Sequence, residues 1–265
     1  MPTTEPTRTL IRELGQSFSQ KLGIDLETKK SSEIFKWFFA SILFGARITE
    51  KIVVNTYREF EARDLLTPSK ILKTGWDGLV EVLDEGGYVR YDFKTATKLL
   101  EVMESLEKRY RGDLKDLHKV ASGPRDLEER LMSLGKGIGP VTVSIFLREL
   151  RGIWEKADPM PQELVVQASR NLGFTKLPGK DEKEKLLILK QLKDVLGRSG
   201  IEEGSFIDFE AALVRLGRDF CRKKRCRTCL CKSSQQIEEK GSHVIDVIYE
   251  KVEMNFQLLV PTAST

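Results

Sequence analysis

Between Leu131 and Asp158 the chain reads LMSLGKGIGPVTVSIFLRELRGIWEKAD. Three features of that stretch could do chemistry: a tight turn at Gly137-Ile138-Gly139, a proline at 140, and a lone aspartate, Asp158, about eighteen residues on. A helix that stops in a glycine turn and restarts leaves backbone N–H groups at the new N-terminus with no intrahelical partner. Such a surface suits a phosphate. Gly137 and Gly139 permit backbone angles that a Cβ would forbid and let a polyanion approach the main chain, while Pro140 fits the first position of the next helix, where its missing N–H costs nothing. Leu131, Leu134, Ile138, Val141, Ile145 and Leu150 are expected to pack the two helices together. Glycine turns between helices are common, and an aspartate before proline is a common turn former. Each feature alone is therefore ordinary, and it is their spacing that points to a site.

A second chemical cluster lies downstream. All four cysteines, Cys221, Cys226, Cys229 and Cys231, fall in one eleven-residue stretch with the pattern C-x4-C-x2-C-x-C. That is no disulfide framework for a chain of 265 residues, and a metal centre is the better reading. Arg215, Arg218, Arg222, Lys223, Lys224, Arg225, Arg227 and Lys232 crowd the same region, opposed by Asp219 alone. The overall net charge of +4, from 44 Lys+Arg against 40 Asp+Glu, is too small to name a nucleic-acid partner, so this local concentration matters more.

The elements that must position these residues read as helices throughout. Ser31 is expected to cap an almost wholly apolar helix, SSEIFKWFFASILFGA, ending near Gly45, and Thr49 to cap TEKIVVNTYREFEAR. A turn at Thr67-Pro68 precedes SKILKTG and WDGLVEVLDEGG, short helices punctuated by glycine. FKTATKLLEVMESLEKRY has apolar residues at three and four spacing, and DLEERLMSLG leads into the hairpin. Beyond Asp158 come QELVVQASRNLGF, then DEKEKLLILKQLKDVLG, whose charges mark a solvated face, and FIDFEAALVRLGRDF, which delivers the chain into the cysteines. Residues 233–265 are ambiguous between helix and strand and read as an appended element. No run of about twenty apolar residues exists, and the N-terminus lacks the layout of a secretory signal, so the expectation is a soluble, intracellular protein. His118 and His243 are isolated and read as unrelated to any metal.

Taken together, these motifs resemble the helix-hairpin-helix glycosylase superfamily of DNA base-excision repair, the group that contains endonuclease III, the adenine mismatch glycosylase and the alkyl-base glycosylases. FKWFFASILFGARITEK resembles the early buried helix and the polar loop after it. GYVRYDFKTATKLLEVMESL resembles the helix that follows a Gly-aromatic turn, LMSLGKGIGPVTVSIFL the hairpin, and LGRDFCRKKRCRTCLC the iron–sulfur loop. The match runs from about Ser31 to Cys231.

The resemblance implies an all-α fold of two lobes with a cleft between them: residues 49–151, carrying the helix-hairpin-helix at 126–150, and residues 1–48 with 152–232. It implies a double-stranded DNA partner bearing a lesion or mismatch, a monomeric enzyme, and base flipping into the cleft. Asp158 matches the family aspartate that stabilises the departing sugar or orients a water. The segment after Asp158 is longer than in relatives, which implies a reshaped pocket mouth and keeps Glu163 as a less favoured carboxylate. DNA contacts are expected from Lys136, Gly137, Gly139 and Thr142, and from Arg47, whose guanidinium could fill the space of a flipped base. Tyr88 and Tyr91, with Trp37, are expected at the base pocket, where an aromatic could stack on the extruded base; core packing is the alternative for each. Where bifunctional members carry a nucleophilic lysine this chain has Val141, which favours hydrolysis without strand cleavage. Lys136 and Lys156 are the substitutes to consider. The four cysteines would hold a [4Fe–4S] cluster, with zinc as rival because of the short Cys229-x-Cys231 step. A non-catalytic DNA-binding protein that keeps the hairpin and the cluster is the alternative function.

Overall fold

A computed structural model describes residues 4–200, 206–225 and 229. Among the described residues the elements are helical, as the periodicities predict. They are α1 Thr4–Leu14, α2 Phe18–Lys21, α3 Ser31–Phe44, α4 Glu50–Ala62, α5 Pro68–Glu85, α6 Asp92–Tyr110 and α7 Leu114–Val120. After these come α8 Pro124–Met132, α9 Pro140–Arg148, α10 Glu163–Asn171, α11 Glu182–Arg198 and α12 Phe206–Leu216, which passes into a π-helical turn, Gly217–Cys221.

Local chemistry sets most of the boundaries. The hydroxyls of Thr49 and Thr67 accept the N–H of Ile52 and Lys70 and start α4 and α5. Gly75, at φ +71° and ψ 176°, interrupts α5, as its two glycine-punctuated halves suggest. Ser31 departs from expectation. Lys30 occupies the cap position of α3 with no side-chain bond, and the Ser31 hydroxyl instead donates to Asp113 at 2.9 Å, tying α3 to the start of α7.

α3 lies at the centre, buried from Ile34 to Leu43 except for Lys36, and it touches α4, α7 and α9. Fully burying each of its large apolar side chains stabilises the fold by about 1.5–3 kcal/mol. α4 to α9 pack successively on one another or on α3, while α12 packs on α1, α10 and α11. The first and last described helices are therefore neighbours.

Their junction is polar and largely buried. The Glu149 carboxylate accepts the N–H of Phe18 at 2.9 Å and of Ser19 at 2.8 Å, capping α2 from the far end of α9. Burial pushes the Glu149 carboxyl above its ordinary value. Arg215 stacks on the Phe18 ring at 4.0 Å and donates to the carbonyls of Leu14 and Gln16. The appended segment, residues 233–265, lies outside the described residues.

Candidate nucleic-acid interface and active site

The hairpin rests on one stripe of α6. Gly135 abuts Val102, where a Cβ would come within 2.7 Å of a valine methyl, and the Glu101 carboxylate accepts the N–H of Lys136 at 2.8 Å. Gly137 takes φ +89° over the aliphatic stem of Lys98. The first glycine is thus required by its backbone angle, whereas its neighbour is the flexible end of Lys98, which can yield. Gly139 differs from expectation: its φ is −109°, which any residue adopts, and an added Cβ would meet nothing within 4 Å. Pro140 begins α9, and the first intrahelical bond runs from Val143 to Gly139. The N–H groups of Gly137, Gly139 and Val141 find no acceptor among the described residues. Leu131, Leu134, Ile138 and Leu150 are buried and Ile145 half-buried, whereas Val141 is 55% exposed rather than part of the helix contact.

Lys98 was not foreseen. It is half-buried against Gly137, has no carboxylate within ion-pair distance among the described residues, and burial lowers its pKa. Nothing in the linear spacing of α6 separates it from the other lysines there. It becomes special through contact with a glycine some forty residues later.

Thr142 is buried rather than presented to a ligand, because it packs on the end of α3: a Cβ on Gly45 would fall 2.2 Å from its hydroxyl oxygen. That same contact places the loop after α3 beside the start of α9. Arg47 stands exposed in this loop with no ion pair among the described residues, and Lys136 is exposed at the hairpin. Tyr88 and Trp37 take the core-packing alternative rather than a place at the base pocket. Both are fully buried; Tyr88 donates its hydroxyl to the Leu43 carbonyl at 2.7 Å, and Trp37 its indole N–H to the Phe146 carbonyl at 3.0 Å. Aromatics with a polar tip settle in a core where a carbonyl meets that tip, and neither ring has a free face. Tyr91 is half-buried, with the Arg90 guanidinium 5.4 Å from its ring centre.

Four residues after Asp158, the Gln162 side-chain amide donates to the Val141 carbonyl at 3.1 Å and ties this segment to the start of α9. On the other side Lys156 donates to the His118 carbonyl at 3.0 Å, and Trp154 stacks on the His118 ring at 4.5 Å. The Lys156 amine is thereby turned into the end of α7. The Asp158 carboxylate, 43% exposed, pairs with Arg151, and both its oxygens lie 3.3 Å from Lys193 of α11. Arg151 also donates to Glu210 at 3.1 Å and to the Pro159 carbonyl at 2.6 Å. Arg151, Lys193 and Glu210 were missed, since α11 reads as a solvated charged helix and Arg151 meets Glu210 across 59 residues of chain. Glu163 begins α10 and is exposed.

At the cysteines the placement is partial. Cys221 closes the π turn half-buried, Cys229 is half-buried against the core, and Cys226 and Cys231 lie outside the described residues. Among the described residues no three His, Cys, Asp or Glu side chains gather as metal ligands. Two of the clustered cations face inward: Arg215 is buried, and Arg218 pairs with Glu50 at 2.9 Å and Asp219 at 2.6 Å. The outward positive surface is smaller than the sequence alone suggests.

Comparison with protein-family models and with curated proteins finds no match for the chain. Among the described residues no helix is long and apolar enough to cross a membrane.

Proposed function

We propose that this protein is a DNA glycosylase of the helix-hairpin-helix type, which flips a damaged or mispaired base out of the duplex and hydrolyses its N-glycosidic bond. The observation that carries the reading is the tie between the hairpin and the segment that bears the carboxylate: Gln162, four residues after Asp158, is hydrogen-bonded to the Val141 carbonyl beside the unpartnered amides at the start of α9. One part suits the backbone of a nucleic acid, the other the sugar beside it. In this reaction the C1′–N bond breaks with its electron pair leaving on the base. A water oxygen then bonds C1′, and its proton passes to the released base or solvent. Asp158 would stabilise the cationic sugar, with Arg47 and Tyr91 at the mouth and the cleft between two helical lobes receiving the base.

Val141, exposed at the hairpin, supplies no amine at the lysine position of bifunctional members and Lys156 is engaged at His118, which favours hydrolysis and leaves exposed Lys136 as the substitute amine that a trapping experiment tests. The four cysteines are the donor set for a [4Fe–4S] cluster, or for zinc, which would tie the end of α12 together. The half-burial of Cys221 and Cys229 beside exposed Arg222, Lys223 and Lys224 suits an anionic group. Visible absorbance and metal analysis of fresh protein decide between the two.

The test is a panel of duplexes carrying uracil, hypoxanthine, alkylated purines, oxidised purines or mismatches, treated with alkali to reveal abasic sites. Base release from at least one is expected, lost by about a thousandfold in Asp158→Asn with binding kept. A borohydride-trapped adduct would refute the hydrolytic assignment. A second reading, a DNA-binding protein without turnover, is favoured by the two cations already paired with Asp158. Binding across the panel without release from any duplex would select it.

A further inference from the structure

Arg151 presents a problem that its surroundings resolve. A guanidinium against a carboxylate cancels the negative charge that a cationic sugar needs, and Arg151 is a strong partner because its side chain is only 8% exposed. Glu210, 3% exposed, receives the Arg151 Nε at 3.1 Å from the other side, and the Phe206 ring lies 5.5 Å from the guanidinium carbon. A buried carboxylate survives where a cation pairs with it. Among the three groups Glu210, Arg151 and Asp158, Glu210 balances Arg151 and one negative charge remains on Asp158, which Lys193 meets from the solvent side.

We infer that Glu210 and Arg151 form a charge-balanced buried pair that orients the Asp158 carboxylate at the mouth of the site while leaving its negative field for the sugar. Both are positioning residues, and the inference rests on the glycosylase reading. Arg151 supplies direction: one fork nitrogen engages Asp158 and the other holds the Pro159 carbonyl at 2.6 Å, so carboxylate and following backbone are fixed together. Glu210 supplies neutrality. Lys193 lies on the solvent side with 47% of its side chain exposed, where water screens it and a DNA phosphate competes for it.

The field can be measured without knowing the lesion. Two duplexes of equal shape serve as probes, one carrying a cationic pyrrolidine in place of the abasic sugar, the other a neutral tetrahydrofuran. Wild type should bind the cationic duplex more tightly by about a hundredfold, as a mimic of the charged sugar. Asp158→Asn should erase that preference. Glu210→Gln, which leaves Arg151 uncompensated, should cut it by about tenfold. Arg151→Met/Glu210→Gln, with no buried charge left, should lower it through lost orientation. Because each variant is judged by the ratio of two affinities, a general weakening of the fold cancels.

A wild-type ratio in Glu210→Gln and in the double variant, with Asp158→Asn still deficient, overturns the pair's role and leaves the glycosylase reading standing. Absence of preference in wild type overturns the inference. Failure of wild type to bind either abasic duplex above undamaged DNA removes the glycosylase reading as well.

Discussion

At Gly139 an added methyl would touch nothing in the chain, whereas at Gly137 it would enter a left-handed backbone region over Lys98. The two hairpin glycines therefore separate folding from recognition. Gly137→Ala should lower stability by about 1–2 kcal/mol in urea unfolding. Gly139→Ala should unfold at the wild-type urea midpoint yet bind duplex DNA more weakly, because its side chain would project where the phosphate is expected. Lys98, held half-buried with no carboxylate partner among the described residues, should contact the same phosphate. Lys98→Met should weaken duplex binding and reduce the slope of log affinity against log salt by about one. An unchanged slope would assign Lys98 to hairpin packing alone.

At the scale of elements, the Asp158 segment depends on α7. His118 stacks on Trp154 and its carbonyl holds Lys156, while burial, aided by the Lys156 charge, lowers the imidazole pKa below its ordinary 6.5. A lowered value means that the native state favours the neutral ring. The stability it brings is present above about pH 6.5 and is lost as pH falls through the folded value. His118→Phe keeps a stacking ring that cannot take a proton. From pH 7 to pH 5 the wild type should lose unfolding free energy relative to this variant, and parallel pH curves would contradict the arrangement. The hairpin shows the same dependence: its turn is local, but its seat on Glu101 and Val102 of α6 decides where its amides lie.

For the molecule as a whole, the junction around Glu149 joins the first helices to the last. Glu149→Gln replaces one accepting oxygen with an amide that faces a backbone N–H, which should cost about 1–3 kcal/mol. The loss should appear first as faster hydrogen exchange at Phe18 and Ser19. None of this junction is legible in the sequence, since Glu149 and Phe18 are 131 residues apart. By itself the sequence determined the helical class, the cap at Thr49, the turn at Thr67-Pro68, the break at Gly75, and the hairpin with its proline start. These follow from sterics and hydrogen bonds spanning a few residues, which the chain carries wherever it goes. Tertiary structure alone decided that Thr142 is interior, which of Tyr88 and Tyr91 is buried, that Lys98 lies under the hairpin, and that Asp158 faces Arg151 and Lys193. Those outcomes depend on which helix faces meet, and a buried polar group takes whatever partner packing brings within reach.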